Sequence, residues 1–147
     1  MTWTWDKLTR ADRATFRELM ATGGTPDPAE IAGHTYAGLN RGLVPKLTGE
    51  RFQKVFHAGD GDFSGHNVVP RRGGPVEIGW FGIRVDGRTM RFDYDVPQNA
   101  GRHRPLRGIQ DDVVLPNSGD HELLLGRARM FGIPVAHFVL MRQRDTE

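Results

Sequence analysis

The stretch 76–96, VEIGWFGIRVDGRTMRFDYDV, constrains the fold more than any other part of this chain. Two runs rich in aromatic and β-branched residues flank Asp86-Gly87, a dipeptide typical of two-residue turns between antiparallel strands. A hairpin built on this turn pairs Val85 with Arg88. The sequence therefore predicts an antiparallel sheet at the centre of the protein. A bulged three-residue loop is the alternative, and it would change which residues pair.

The predicted hairpin has two different faces, because successive side chains of a strand point to opposite sides. One face is aromatic and aliphatic, and we expect it to be packed in the core. The other is mixed and is either exposed to solvent or lines a partly polar cavity. The first face carries Phe81, Ile83, Met90, Phe92 and Tyr94, and the second carries Ile78, Trp80, Arg91, Asp93 and Asp95.

Glycine and proline are frequent, with 19 and 9 residues in a chain of 147, which favours a turn-rich, strand-rich protein over a helical bundle. The length fits one domain, residues 1–147, with one core. Cysteine is absent, which excludes disulfides, thiolate metal sites and cysteine nucleophiles. The amino end, MTWTWDKLTR, lacks the basic and apolar segments of a signal peptide, and no apolar run reaches the length of a membrane span. We therefore expect a cytoplasmic protein that does not enter a membrane.

The amino-terminal segment, residues 1–33, is predicted to be helical. A helix is expected over residues 10–22, where Thr9 and Asp12 resemble a capping box and Gly23 would end the helix. Its apolar stripe indicates a face that docks on the rest of the protein. A second start signal, Asp27-Pro28-Ala29-Glu30, predicts a short helix that ends before Gly33. The stripe consists of Phe16, Leu19 and Met20.

Beyond residue 33 the pattern changes to short strands separated by turns. Residues 47–57 fit either a helix or a bent strand, and residues 97–105 read as a polar loop. The last strand is apolar on both faces, so it is either covered on both sides or closes a barrel. Strands are predicted at 34–40, 63–69, 76–85, 88–96, 106–115, 122–130 and 134–142.

The number of strands and their hairpin-length connections predict a mainly β fold. We expect an antiparallel up-and-down β-barrel over residues 34–142, preceded by one or two short helices and followed by a frayed tail, residues 143–147. A sandwich is the alternative arrangement of the same strands.

Three short segments make the chain similar to lipocalin-like bacterial proteins of the GXWXG/DUF4334 type. The segment HTYAG (34–38) stands where that family has Gly-x-Trp-x-Gly, and it keeps the last glycine, Gly38. The segment LTGERF (47–52) has glycine and phenylalanine at the family's spacing. Near the carboxyl end, LLG (124–126) and HFVLMR (137–142) resemble the family's closing strands. The resemblance implies a lipocalin-like barrel with a ligand cavity and implies no established reaction.

The motifs that mark metal and phosphate sites are missing. The six histidines form neither a His-x-His nor a His-Glu-x-x-His pattern, and no glycine-rich loop matches a phosphate-binding motif. The basic clusters, Arg71-Arg72 and Arg102-His103-Arg104, lie in predicted loops without alternating aromatic residues. We therefore predict no metal, no cofactor and no nucleic-acid partner.

His137 is the most informative histidine, because it alternates with Val135 and Val139 on a strand predicted to be buried. A buried imidazole needs a hydrogen-bond partner, and it can contact a ligand or act as an acid or base. The alternative is a core histidine whose hydrogen bonds are satisfied within the protein. Asp93 is the second candidate acid or base, with a solvent-exposed carboxylate as its alternative.

Two functions are compatible with such a barrel. The first is binding of a small apolar or amphipathic ligand in the cavity. The second is a cofactor-independent enzyme of the cyclase or isomerase type in the same cavity, with His137 or Asp93 as acid or base. An interaction domain that uses the amino-terminal helix is a third hypothesis, and a homodimer is also compatible with the sequence. The predicted cavity residues are Tyr36, Phe56, Trp80, Arg91, Phe92, Asp93, His137 and Phe138.

Overall fold

Eight antiparallel strands form a closed barrel in the computed structural model, which describes residues 2–42, 50–59 and 61–144. Each strand pairs with its neighbours in sequence, and pairing of the first with the last closes the ring. The predicted up-and-down barrel is confirmed. The strands are β1 Thr35–Gly42, β2 Arg51–Phe56, β3 Phe63–Val69, β4 Val76–Asp86, β5 Thr89–Asp93, β6 Ile109–Val114, β7 Leu123–Met130 and β8 Ile133–Arg142.

Three short helices precede the barrel: α1 Trp5–Thr9, α2 Arg13–Thr22 and α3 Pro28–Ile31. The first of them was not predicted. The start of α2 also differs from the prediction, because Asp12 itself is the N-cap and accepts a hydrogen bond from the Thr15 amide (2.8 Å). For α3 the predicted signals hold, with Asp27 as N-cap and Pro28 in the first turn.

The helices divide the apolar residues into two clusters. The predicted stripe of α2 is buried against the outer wall of the barrel, where it meets side chains of β6, β7 and β8. The last helix instead contributes Ile31 to the interior cluster, so α3 covers one end of the barrel. The outer cluster consists of Leu8, Phe16, Leu19, Met20, Val114, Leu123, Leu125 and Val139.

The central hairpin has the predicted faces but a different register. Asp86 pairs with Thr89, so the turn residues are Gly87 and Arg88 instead of Asp86 and Gly87. Gly87 has a φ of 63°, as a type II′ turn requires at its first central residue. The shift in pairing is two residues, which leaves the side chains from Trp80 to Asp95 on their predicted faces. Ile78 is the exception: the register changes by one residue near Gly79, whose φ is 70°, and Ile78 lines the interior cavity instead of sharing a face with Trp80. The packed face is therefore correct although the predicted partners were wrong.

In two other segments the structure corrects a predicted boundary or decides between two predicted alternatives. The predicted strand 106–115 begins later, because a 3₁₀ helix spans Gly101–Gly108 and β6 starts at Ile109. The ambiguous segment 47–57 contains β2, a strand; its first residues, 47–49, lie outside the described residues.

Three interior glycines lie opposite phenylalanines on the neighbouring strand. Their missing side chains leave room for the rings, which pack directly on the backbone. A Cβ atom at Gly126 would lie 2.0 Å from the Phe138 ring, far inside contact distance. The sequence therefore brings large rings close to the strands and leaves space nearer the barrel axis. The pairs are Gly38 with Phe52, Gly65 with Phe81, and Gly126 with Phe138.

Among the described residues, no helix combines the length and the apolar character that a membrane crossing requires.

Candidate ligand-binding cavity

A cavity of about 150 Å³ lies inside the barrel near one end. Its lining comes from the last residues of β1, β3 and β7 and the first residues of β2, β4, β6 and β8, which meet at that end. The opposite end is filled by aromatic side chains and by Ile31 of α3. The apolar lining residues are Phe52, Val69, Ile78, Leu106, Ile109, Ala128, Met130, Val135, Ala136 and Phe138.

One wall of the cavity is polar and consists of Lys54, Asn67, Tyr94 and Asp111. Asn40 and Arg71 also contribute polar groups to the lining. Lys54 Nζ donates to Asn67 Oδ1 and to the Tyr94 hydroxyl, both at 2.7 Å, and lies 3.4 Å from Asp111 Oδ2. The Tyr94 hydroxyl donates to Asp111 Oδ2 (3.0 Å). The Asn67 amide donates to the Gly79 carbonyl (3.1 Å) and to the Tyr94 hydroxyl (3.0 Å). These four residues, the polar centre, satisfy one another's hydrogen bonds.

The alternation of the strands places the two charges inside. In β2, Lys54 lies between Phe52 and Phe56, and all three are buried. In β6, Asp111 shares its face with Ile109 and with other inward side chains of that strand. A lysine and an aspartate thus occupy core positions, each 2% exposed. Such residues are almost never fully buried unless they are paired.

Aromatic rings surround the Lys54 ammonium group. Five ring centroids lie 4.9 to 5.5 Å from Nζ, within the range of cation–π attraction. Three of the rings, Phe52, Tyr94 and Phe138, also line the cavity. These five rings, the aromatic cage, partly compensate the ammonium group for its lost hydration. The five rings belong to Phe52, Phe81, Phe92, Tyr94 and Phe138.

Burial shifts the ionisation of the polar centre. Desolvation lowers the pKa of Lys54, although the charge of Asp111 opposes that shift. Desolvation raises the pKa of Asp111 against the opposing charge of Lys54. The pKa of Tyr94 is raised for the same reason and by the neighbouring Asp111 charge, so its hydroxyl keeps its proton. The polar centre therefore holds a proton that Lys54 and Asp111 compete for.

A comparison with solved structures identifies the architecture. The chain is similar to the solution structure of lipocalin 12 from rat epididymis, with a TM-score of 0.54 and 9% sequence identity. The match covers 84% of this chain and 73% of that protein. This chain has a lipocalin fold. At such low identity the likeness concerns the fold alone.

Sequence comparisons add no closer relationship. No family model matches the chain, and no curated protein matches it. The lipocalin-like part of the predicted resemblance is therefore supported by the fold, whereas its narrower part, the GXWXG/DUF4334 family, has no support.

Four of the predicted cavity residues lie inside the lipocalin barrel. Tyr36, Phe56, Phe92 and Phe138 all belong to the interior cluster. Phe138 lines the cavity. Tyr36 lies toward the filled end, where its hydroxyl donates to the His121 carbonyl (2.7 Å).

The structure places Trp80 and Arg91 away from the cavity lining. Trp80 stacks on the imidazole of His66, with ring centroids 5.5 Å apart. Arg91 forms ion pairs with Asp86 (2.7 Å) and Asp112 (3.1 Å).

Asp93 and His137, the two predicted acid–base candidates, are also separated from the cavity. Asp93 Oδ1 accepts a hydrogen bond from the Asp95 amide (3.0 Å), a local turn contact. His137 stacks on Phe16 of α2, with ring centroids 5.1 Å apart, so it belongs to the covered outer wall. Burial, together with the charges of nearby arginines, lowers the pKa of His137 to about 4.

The polar centre is the part of the site that sequence reasoning missed. Tyr94 was assigned to the packed face, but Lys54, Asn67 and Asp111 were not among the predicted cavity residues. Asp111 and its neighbour Asp112 are both buried within β6. A signal was present: in RFQKVF and in IQDDVV a charged residue interrupts the apolar face of a strand.

Within the ranges that the structure describes, no group of three or more histidine, aspartate or glutamate side chains is arranged to hold a metal ion.

Proposed function

We propose that this protein binds a small, mainly apolar molecule inside its barrel, next to the polar centre. The observation that carries the proposal is the cavity itself: an interior space of about 150 Å³ with apolar walls and one polar wall. Ligand sites are typically concave, mostly apolar and equipped with a few placed polar groups.

The volume argues for a small guest. Pockets for drug-sized ligands have about 300–1,000 Å³, whereas an apolar cavity of about 150 Å³ holds a molecule the size of benzene. The cavity of this barrel belongs to the second class. We therefore propose a ligand with a single ring or a short branched chain.

The charges argue for an uncharged guest. Lys54 and Asp111 compensate each other, so the polar centre carries no net charge. Arg71 also lines the cavity, but it is exposed to solvent, which screens its charge. A charged ligand at the polar centre would need a buried partner that this wall does not supply, and its desolvation would be unfavourable. A neutral ligand with one polar atom, directed to the polar centre, fits both walls.

Fluorobenzene and a cavity-filling variant test this proposal. Saturable binding of fluorobenzene, followed by ¹⁹F NMR, is expected for the wild-type protein. Ala128→Leu fills the cavity from its wall and should weaken binding by about tenfold or more, since a packed site tolerates little extra volume. Ala14→Leu, the same change on the exposed side of α2, is the matched control. Binding that survives Ala128→Leu unchanged would place the ligand elsewhere.

A cofactor-independent enzyme in the same cavity is the second candidate function. The observation that favours it is the presence of acid–base groups, Lys54, Tyr94 and Asp111, within hydrogen-bonding distance of one another at the cavity wall. Native mass spectrometry can identify a guest that copurifies with the protein. Recovery of that guest unchanged after incubation in D₂O supports binding alone, whereas deuterium incorporated by the wild type supports an isomerase.

A further inference from the structure

We propose that Lys54 captures a small aldehyde or ketone in the cavity as a Schiff base, with Asp111 as the acid and base of the reaction. The inference rests on the proposed binding function and adds the chemical class of the guest. The residues concerned, Lys54, Tyr94 and Asp111, all line the cavity.

The position of Lys54 suits a reactive amine better than a structural ion pair. Burying an ion pair gives little stability compared with apolar residues of similar volume, because both ions lose their hydration. Lys54 nevertheless lies at the wall of an apolar cavity, inside a cage of aromatic rings. Reactive lysines that form Schiff bases are typically desolvated in such apolar pockets.

The polar centre can supply the neutral amine that the reaction needs. Burial lowers the pKa of Lys54 and raises that of Asp111, so both shifts reduce the free-energy cost of moving one proton from the ammonium to the carboxylate. The transfer replaces two buried charges with a neutral pair. The Tyr94 hydroxyl lies 2.7 Å from Nζ and 3.0 Å from Asp111 Oδ2, and it can relay the proton between them.

The reaction is balanced with these groups alone. The Nζ lone pair attacks the carbonyl carbon, the C=O π bond breaks, and the oxygen takes the proton of the Asp111 carboxyl group. The nitrogen then returns a proton to Asp111, which gives a neutral carbinolamine. Asp111 next protonates the hydroxyl group, the C–O bond breaks, and water leaves. The product is a protonated imine at Lys54, with the Asp111 carboxylate as its counter-ion.

Reductive trapping tests the proposal directly. The protein is incubated with benzaldehyde and sodium cyanoborohydride at pH 7, and the modified lysine is located by peptide mass mapping. Lys54 is expected to gain one benzyl group about tenfold faster than the exposed Lys7 of the same chain, since binding in the cavity places the aldehyde beside Nζ. Lys7→Met should leave the trapping of Lys54 unchanged.

A competition experiment between fluorobenzene and benzaldehyde uses the wild-type protein, so its outcome does not depend on whether a variant folds. Saturating fluorobenzene should slow the trapping of Lys54 without slowing that of Lys7. Labelling of Lys7 as fast as Lys54, or labelling of Lys54 that fluorobenzene does not slow, would overturn the proposal. If fluorobenzene binds and Lys54 is not trapped, covalent capture is wrong and the binding function stands. If neither binding of fluorobenzene nor trapping of Lys54 is observed, both proposals fail.

Discussion

At Lys54, the unfavourable burial of a charge determines what its neighbours must be. An ammonium group removed from water needs hydrogen-bond acceptors and an opposite charge. Asn67, Tyr94 and Asp111 provide them, and aromatic rings fill the remaining directions. Removing one member therefore affects more than one bond, since the remaining charge stays buried without compensation.

Removal of Asp111 should consequently be far more harmful than removal of both charges. Asp111→Leu leaves the Lys54 charge unpaired, and we expect a loss of about 3–5 kcal/mol in the free energy of unfolding. The double variant Lys54→Met/Asp111→Leu should recover most of this loss, because no buried charge remains. Urea denaturation measures the free energy of unfolding of the single and the double variant.

The exposed ion pair of Asp95 with Arg107 provides the control. Asp95→Leu should change the free energy of unfolding by less than about 1 kcal/mol, as surface pairs contribute little. A double variant as unstable as Asp111→Leu would show that the loss does not arise from the unpaired Lys54 charge.

At the scale of elements, α2 determines the environment of the outer wall. Its buried face covers β6, β7 and β8, and Phe16 stacks on His137. The ring nitrogen Nε2 of His137 is buried without a hydrogen-bond partner in the described part of the chain. The helix thus helps to keep the imidazole neutral, chiefly by excluding water and also by bringing Arg13 and Arg17 near it. Arg127 of β7 contributes a further positive charge.

A pH dependence of stability follows from this contact. The pKa of His137 is about 4 in the folded protein and 6.5 for an ordinary histidine. As the pH falls from 6.5 to 4, the unfolded chain binds a proton that the folded protein does not, so the free energy of unfolding decreases. The loss should be roughly 1–2 kcal/mol, because solvent screens a half-buried ring. Denaturation of the wild type and of His137→Phe at pH 7 and pH 4.5 measures it.

Phe16→Ala should raise the pKa of His137 toward 6.5 by admitting water, which an NMR titration of the ring protons detects. Thr22→Ala, an exposed change on the same helix, should leave that pKa unaltered. An unchanged pKa in Phe16→Ala would contradict the role assigned to α2.

At the scale of the whole molecule, closure of the barrel creates the cavity. Pairing of β1 with β8 runs from Tyr36 with Arg142 to Gly42 with Ala136 and leaves no free edge in the sheet. Closure also separates the interior cluster from the outer one. Apolar side chains that point inward pack against one another, and those that point outward pack against the helices. Without that pairing the interior would open to solvent.

Hydrogen exchange should report this closure. The amides of Ala37 and Leu39 in β1, which point toward Met141 and Val139 of β8, should exchange as slowly as those of the central hairpin. Mass spectrometry or NMR can measure both sets, with the exposed turn residue Arg72 as the fast reference. Exchange of the β1 amides at the rate of Arg72 would indicate an open sheet.

Local patterns were sufficient to predict most strands and helices of this protein. The strand Phe63–Val69 was predicted with the bounds that it has, because alternation and the following Pro70 are local signals. The faces of the central hairpin were also correct, except at Ile78, which lies on the interior side because of the register change near Gly79. Even the wrong register did not disturb them, since a shift of two residues preserves the alternation.

The candidate site depended on contacts that no local pattern contains. Four of its eight predicted residues lie inside the barrel and four do not. The last strand explains part of this result: both faces of β8 are apolar, and only closure with β1 decided that Phe138 points inward and His137 toward α2.

Alternation by itself determined which residues share a face, because it depends only on the geometry of one strand. Tertiary structure alone decided which face is inside and which residues meet there. Lys54 and Asp111 belong to β2 and β6, which are not neighbours in the barrel, and meet only across its interior. Their pairing follows from closure of the ring, a property of all eight strands together.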